Sequence, residues 1–213
     1  MSSIQTPAAA NGSRGLYRTA GKRLLDLLVA GSALVALSPG LALVALAIRL
    51  DSPGPVLFRQ HRAGFAGRPF TLFKLRTMSD RPRRVSEEIP PDHAEVTRVG
   101  RILRRFKIDE LPQLTNVLRG EMSLVGPRPA LPEQVAEYDR ETRRRLETRP
   151  GLTGLAQIRG GIHLPWPERW VHDIEYVRRI TFLGDLKILV RTVAVVVLGE
   201  SRFVQRPDDG KAR

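Results

Sequence analysis

Leu27–Ile48 reads LLVAGSALVALSPGLALVALAI. It runs for about 22 positions without a charge, close to the ~20 apolar residues that cross a hydrocarbon core. A cleaved secretion signal has a shorter apolar run that ends at small residues, whereas Ile48 leads into Arg49 and Asp51. A buried core helix would show a polar stripe, and almost none is present. The segment is therefore expected to enter a membrane, and the fold has to be built around it.

Whether it crosses is a separate question. Ser38-Pro39-Gly40 lies near the middle, where proline removes a backbone donor and a serine hydroxyl can satisfy the freed carbonyl. Membrane helices tolerate such kinks, so a bent spanning helix is one reading. Each arm is about 11 residues, or ~16 Å, roughly half a bilayer, so a segment that turns back is the other. Lys22 and Arg23 precede the run, and Arg49, Arg59, Arg62 and Arg68 follow it. Positive charge on both sides favours both ends on the cytoplasmic face. The later stretch Val193–Leu198 is too short to cross and reads as core or as an interfacial helix.

The 213 residues are 42% hydrophobic and 27% charged, with a net charge of +13, which suits a folded domain with anionic partners. Phosphorylated substrates, anionic lipids and nucleic acid all qualify by charge. Nucleic acid is disfavoured by the apolar segment and by basic residues with neither interleaved aromatics nor a reading helix. There is no cysteine, which excludes thiol catalysis and thiolate zinc. His61, His93, His163 and His172 lack ligand spacing. No glycine-rich phosphate loop or dinucleotide fingerprint is present.

Four regions follow: a tail at 1–15, the membrane segment at 16–50, a cytoplasmic domain at 51–200 and a second tail at 201–213. Asp51-Ser52-Pro53-Gly54-Pro55 is a turn. Val56–Arg59 and Phe70–Lys74 are β-prone, and Gly64 and Gly67 between them suggest a hairpin. Met78–Pro91 reads as a loop. Arg98–Lys107 has helical spacing, with Val99, Ile102, Leu103 and Phe106 expected inward and Arg101, Arg104 and Arg105 outward. Short or amphipathic helices are expected at Glu110–Leu118, Val135–Leu146 and Pro167–Ile180, the last with Trp170, Ile174 and Val177 on one side. The fold class expected is predominantly α with a small β-hairpin (α+β).

Chemistry concentrates in two places. Asp109-Glu110-Leu111-Pro112 places adjacent acids about 100° apart on a helix, so one can attack while the other holds a metal or a proton. The same residues are also good helix N-terminus chemistry. Pro127-Arg128-Pro129 stiffens the backbone around one guanidinium, which suits phosphate recognition as well as a rigid surface turn. The run Arg140, Arg143, Arg144, Arg145, Arg149 could meet phosphates or form a solvated face.

Taken in order, several blocks resemble the bacterial sugar transferase family, the monotopic polyprenyl-phosphate phosphoglycosyl transferases. They are Lys22-Arg23-Leu24-Leu25-Asp26, Ser38-Pro39, Phe58-Arg59-Gln60, Phe73–Met78, Thr97–Arg101, Asp109–Leu114, Met122–Pro129, Arg149–Gln157 and Asp185–Leu189. The resemblance implies transfer of a sugar-1-phosphate from a nucleoside diphosphate sugar, usually a UDP-sugar, to a polyprenyl phosphate such as undecaprenyl phosphate, releasing UMP. It implies Asp109 as the nucleophile forming a covalent phosphosugar, Glu110 as its assistant, and Mg²⁺ held by Asp109 and Glu110. Lys74, Arg104 and Arg128 match positions expected near phosphate or holding the site. It further implies a re-entrant helix breaking at Ser38 and Pro39, packed with interfacial amphipathic helices. The implied location is the cytoplasmic face of a bacterial inner membrane, at the first membrane step of exopolysaccharide, O-antigen or glycoprotein glycan assembly. Anionic lipids and a homodimer are further expected partners. Two departures stand out: Phe106-Lys107-Ile108 replaces a small hydroxyl residue before the acid pair, and Gly160-Gly161-Ile162-His163 differs from the usual pattern. The chain resembles the minimal catalytic form. The alternative expectation is a non-catalytic membrane-bound scaffold of the same family.

Overall fold

The computed structural model describes residues 15–79 and 93–204. The expected tails therefore lie largely outside the described residues, as does most of the Met78–Pro91 loop. Helix α1, Lys22–Asp51, follows a π-helical turn at Tyr17–Gly21. Its Ala and Leu content favours helix, and the backbone remains helical through Pro39. Pro39 has no N–H to give the Val35 carbonyl, and Ser38 Oγ donates to that carbonyl instead, at 2.8 Å. The expected interruption at Ser38-Pro39 is thus not a loss of helical backbone.

The apolar side chains of α1 are largely bare. All residues from Val35 to Gly40 are exposed, along with Leu24, Leu28, Leu43, Leu46 and Leu50. Such a surface is costly in water and fits lipid. The two ends, in contrast, are tied to the rest of the protein. At the start, Arg23 donates to the Val117 and Leu118 carbonyls at 2.5 and 2.9 Å. Asp26 Oδ1 accepts from Ser123 Oγ and from the Leu124 N–H, at 3.0 and 2.9 Å. Lys22 Nζ meets Asp185 at 2.5 Å, and the Tyr17 and Tyr176 hydroxyls also donate to Asp185. At the far end, Asp51 Oδ2 accepts from the Val99 N–H at 3.0 Å, and Arg76 donates to the Ser52 and Pro53 carbonyls.

Strands β1 (Leu57–Ala63) and β2 (Pro69–Leu75) form the expected antiparallel hairpin, with Phe58 opposite Lys74. Helix α2 is Arg98–Arg105, begun by Thr97, whose Oγ1 accepts from the Gly100 N–H at 2.9 Å. It lies so close to the chain at Thr77 that a Cβ on Gly100 would meet the Thr77 carbonyl oxygen at 2.0 Å. A 3₁₀ turn at Ile108–Gln113 then leads into α3, Leu114–Arg119. Strand β3 (Ser123–Val125) pairs in parallel with β4 (Gly151–Thr153), a ladder the sequence pattern did not suggest. A Cβ on Gly151 would meet the Gly126 nitrogen at 2.1 Å, so the close approach there requires glycine. Helices α4 (Pro132–Ala136), α5 (Leu155–Ile158), α6 (Trp166–Arg178) and α7 (Phe182–Leu198) complete the fold. Phe70, Leu72, Leu114, Val117, Met122, Leu124, Ile158, Tyr176, Val177 and Ile188 form the main core. Each large apolar side chain removed from water there contributes about 1.5–3 kcal/mol.

The fold is thus mainly helical with a small hairpin, as expected, and α6 buries Ile174 and Val177 as the pattern requires. Several local expectations need correction. Val135–Leu146 is not one helix: Asp139 Oδ1 caps the Thr142 N–H at 2.7 Å, which ends α4 early and starts a separate 3₁₀ turn at Thr142–Glu147. Within the arginine run, Arg145 is buried and paired with Asp173 at 2.7 Å. On α2, Leu103 faces inward, but Ile102 and Phe106 are 58% and 45% exposed, while Arg104 turns in toward Thr77. Helix α7 presents Leu183, Leu186, Val190, Val193 and Val197 on one exposed face and buries Asp185, Ile188 and Val195 on the other. Three helices therefore expose apolar side chains, and the chain is built for association with a membrane.

Asp185 is fully buried, so its charge depends on its partners. Lys22→Met takes the ammonium from that carboxylate, leaving it the neutral Tyr17 and Tyr176 hydroxyl donors, and should cost about 3–5 kcal/mol. Thermal unfolding of the detergent-solubilised protein should show a fall in Tm of roughly 10 °C, with Lys22→Arg falling less.

Candidate active site

The 3₁₀ turn that carries Asp109 and Glu110 is set by its neighbours. Lys107 sits in the left-handed region at φ 55°, turning the chain sharply after α2, and Pro112 lies inside the turn. The strand beside it is fixed by buried Asn116 of α3, whose Nδ2 donates to the Thr71 carbonyl at 2.7 Å and whose Oδ1 accepts from the Phe73 N–H at 3.3 Å. This brings Lys74 over the acid pair. Its Nζ donates to Glu110 Oε1 at 2.8 Å. Arg128 NH1 approaches the same oxygen at 3.6 Å.

The segment around Arg128 is held through its backbone. The Pro127 carbonyl accepts from the Gly151 N–H at 2.9 Å. The Arg128 and Pro129 carbonyls accept from Arg145 and Arg62, both at 3.1 Å. Three successive carbonyls are thus occupied, which fixes the direction of the Arg128 side chain. Arg104 Nε donates to Thr77 Oγ1 at 2.9 Å, and its charge still acts on Asp109.

Asp109 and Glu110 are both buried, yet their pKa values are shifted in opposite directions. Burial works to raise the Glu110 carboxyl, but the Lys74 and Arg128 charges outweigh it and hold Glu110 well below the usual carboxylate range. Asp109 lacks such a partner. Burial first, and then the neighbouring Glu110 carboxylate, push it up to about 6 against Lys74, Lys107 and Arg104. Burial also lowers the Lys74 ammonium, more than Glu110 raises it. Asp109 Oδ1 is buried and accepts no hydrogen bond. One acid is therefore ionised and occupied, and the other has an unused oxygen.

Next to Arg128 lies a shallow, solvent-open groove, lined by Lys107, Arg128, Gln157, Ile162, Trp166 and Arg169 among others. Four of the residues singled out in the sequence, Lys74, Asp109, Glu110 and Arg128, come together around the acid pair, with Arg104 behind them. Ser38 and Pro39 lie elsewhere, on the bare middle of α1. Sequence reasoning missed Lys107, Thr77, Asn116 and Arg145 as residues that shape the site. Only the proline-flanked Arg128 hinted at a fixed loop, and nothing signalled that a distant arginine would fix it.

Among the described residues no three His, Asp or Glu gather in a metal-binding group. A two-acid site nonetheless suits Mg²⁺, which takes one or two carboxylates and completes its shell with water and phosphate oxygens. The unpartnered Asp109 oxygen is the structural feature that fits such an ion.

The family model described as bacterial sugar transferase matches residues 17–199. The chain belongs to the bacterial sugar transferase family. Similar curated proteins agree. An uncharacterized sugar transferase EpsL of Bacillus subtilis is 44% identical over 84% of this chain and 88% of its own length. A UDP-glucose:undecaprenyl-phosphate glucose-1-phosphate transferase of Caulobacter vibrioides is 46% identical over 85% and 72%. A UDP-N-acetylgalactosamine-undecaprenyl-phosphate N-acetylgalactosaminephosphotransferase of Aeromonas hydrophila is 37% identical over 84% and 44%. The match spans every residue of the cluster just described, and the sugar transferase is an enzyme.

Its electrostatics make a prediction about stability. A folded-state pKa of about 6 for Asp109 means that folding takes up a proton between the ordinary value of 3.8 and 6. This group's contribution is most favourable below that window and is lost as pH rises through it. Asp109→Asn should therefore be more stable than the parent sugar transferase at pH 7, by about 2 kcal/mol or ~5 °C in Tm. The difference should shrink toward pH 4 in thermal scans at stepped pH.

Proposed function

We propose that this sugar transferase moves a sugar-1-phosphate from a UDP-sugar to undecaprenyl phosphate, with release of UMP. The observation that carries the mechanism is the contrast between the two acids: Glu110 neutralised by Lys74 and Arg128, and Asp109 with an unpartnered oxygen beside a cationic groove. The substrate names of the Caulobacter and Aeromonas relatives support the donor and acceptor classes.

In this reading an Asp109 oxygen attacks the β-phosphorus of the donor. A carboxylate–phosphorus bond forms, the bond from that phosphorus to the bridging oxygen breaks, and UMP departs with the electron pair. A phosphate oxygen of the polyprenyl acceptor then attacks the same phosphorus and displaces the Asp109 carboxylate. Lys74 and Arg128 face the diphosphate and lower the repulsion between it and the attacking carboxylate. Glu110 keeps both cations in place. Arg104, anchored on Thr77, adds positive potential that favours ionised Asp109. Asp109 and Glu110 would hold Mg²⁺, which when bound neutralises diphosphate charge.

The membrane segment serves the same chemistry. Both ends of α1 are tied to one domain, whereas residues 35–40 are bare, which supports a re-entrant course with the turn at Ser38-Pro39. The catalytic cluster then lies at the cytoplasmic interface of the inner membrane, where the acceptor phosphate resides. The exposed faces of α2 and α7 fit that interface.

A screen for UMP release across UDP-sugars, with undecaprenyl phosphate and Mg²⁺, tests reaction and donor together. Transfer should disappear on removal of Mg²⁺. Asp109→Asn should lose at least 10³-fold in rate, on the order expected for loss of a nucleophile; full activity in that variant would overturn the mechanism. If no UDP-sugar released UMP while the protein still bound anionic vesicles, the scaffold reading would replace the enzymatic one. Reporter tags at residue 15 and at the C-terminus should both read cytoplasmic, and a periplasmic residue 15 would exclude the re-entrant course.

A further inference from the structure

A residue that lines the groove carries a buried polar atom that the transfer chemistry leaves unused. Gln157 belongs to α5, and its Nε2 donates to the Leu152 carbonyl at 3.2 Å. Reversing the amide would set oxygen against oxygen, so the remaining atom is fixed as Oε1, an acceptor. That oxygen is buried and accepts no hydrogen bond, in a residue that lines the groove. A buried acceptor left without a donor is costly, and such a group calls for a partner that the protein itself does not supply.

The wall around it is rigid. Arg169 Nε donates to the Leu164 carbonyl at 2.6 Å and its NH2 to the Ile162 carbonyl at 3.0 Å. Its guanidinium lies 4.4 Å from the centre of the Trp166 ring. Gly160 and Gly161, at φ 136° and 51°, give the chain the turn that presents Ile162, which is 43% exposed. The groove therefore combines a cationic end at Lys107 and Arg128, one fixed acceptor, and an apolar wall of Ile162 and Trp166. A ligand that fills all three has an anionic group, an N–H or O–H, and a ring with an apolar face.

We propose that Gln157 Oε1 is a recognition acceptor for the nucleoside diphosphate sugar, taking a hydrogen bond from the ring that lies against Ile162 and Trp166 while Arg128 holds the diphosphate. This rests on the proposed donor chemistry. The hydrogen comes either from the imide N–H of a uracil, which cytosine lacks, or from a sugar hydroxyl. Either source makes Gln157 a specificity residue outside the acid pair and its cations.

Binding is measured by calorimetry on full-length protein carrying Asp109→Asn, so that no turnover occurs, with UMP and with the UDP-sugar found in the release screen. Gln157→Met keeps the side-chain length and removes the acceptor, and should weaken UDP-sugar binding roughly tenfold. An equal loss for UMP assigns the hydrogen to the base, and N3-methyl-UMP should then bind the Gln157 protein as weakly as UMP binds the Met variant. An unchanged UMP affinity assigns it to the sugar, and one monodeoxy analogue of the donor should show the loss. Unchanged binding of both ligands to Gln157→Met overturns the proposal. If that variant does not fold, the analogue series on the Gln157 protein decides: no loss with N3-methyl-UMP or any monodeoxy donor overturns it. An absence of any UMP-releasing donor in the screen is a failure of the proposed function instead.

Discussion

A carboxylate taken out of water has to be neutralised, and Glu110 is neutralised from two directions. Lys74 reaches it from the hairpin at 2.8 Å and Arg128 from the loop after β3 at 3.6 Å. Both cations depend on other parts of the chain for their position. Asn116 fixes the strand that carries Lys74, and Arg145, itself neutralised by Asp173, holds the carbonyl of Arg128. The ion cluster thus ties hairpin, 3₁₀ turn, loop and α6 to one geometry. Asp109 shares the burial without sharing the neutralisation, and its elevated pKa follows from that difference.

In the proposed mechanism this arrangement trades stability for a reactive group. A buried acid with an unpartnered oxygen opposes folding, and the surrounding core has to offset it. The same logic applies to Gln157 Oε1 across the groove. At both positions a buried polar atom is left unpaired, whereas Asp26, Asp173 and Asp185, also buried, are paired.

Much of this was legible in the sequence, and the exceptions have physical reasons. The hairpin was readable because aromatic and β-branched runs flank Gly64 and Gly67. Helix α6 was readable because Ile174 and Val177 recur at helical spacing. The region 132–147 was not, because Asp139 can end a helix or ride on one, and only its bond to Thr142 decides. Periodicity placed Ile102 and Phe106 together on α2 but could not say whether protein or lipid lay opposite. The acid pair could be singled out from its neighbours, yet its opposite pKa shifts depend on Lys74 and Arg128, which lie 36 residues before and 18 after Glu110. Arg145 looked like one more surface arginine, since nothing local marks the member of a basic run that meets Asp173.

The Ser38–Val35 bond has a mechanical side. In an ordinary helix, bending stretches a backbone hydrogen bond, and in lipid no water replaces it. At Pro39 there is no such bond to stretch, and its would-be acceptor is already satisfied by a side chain one residue away. The middle of α1 is therefore a joint, with low stiffness and no added solvation cost when it flexes. A bilayer that thins or thickens would load this joint before it loads the anchors at Lys22 and Asp51. In the proposed re-entrant course, the distance between membrane and active site would thereby be insulated from the thickness of the membrane itself.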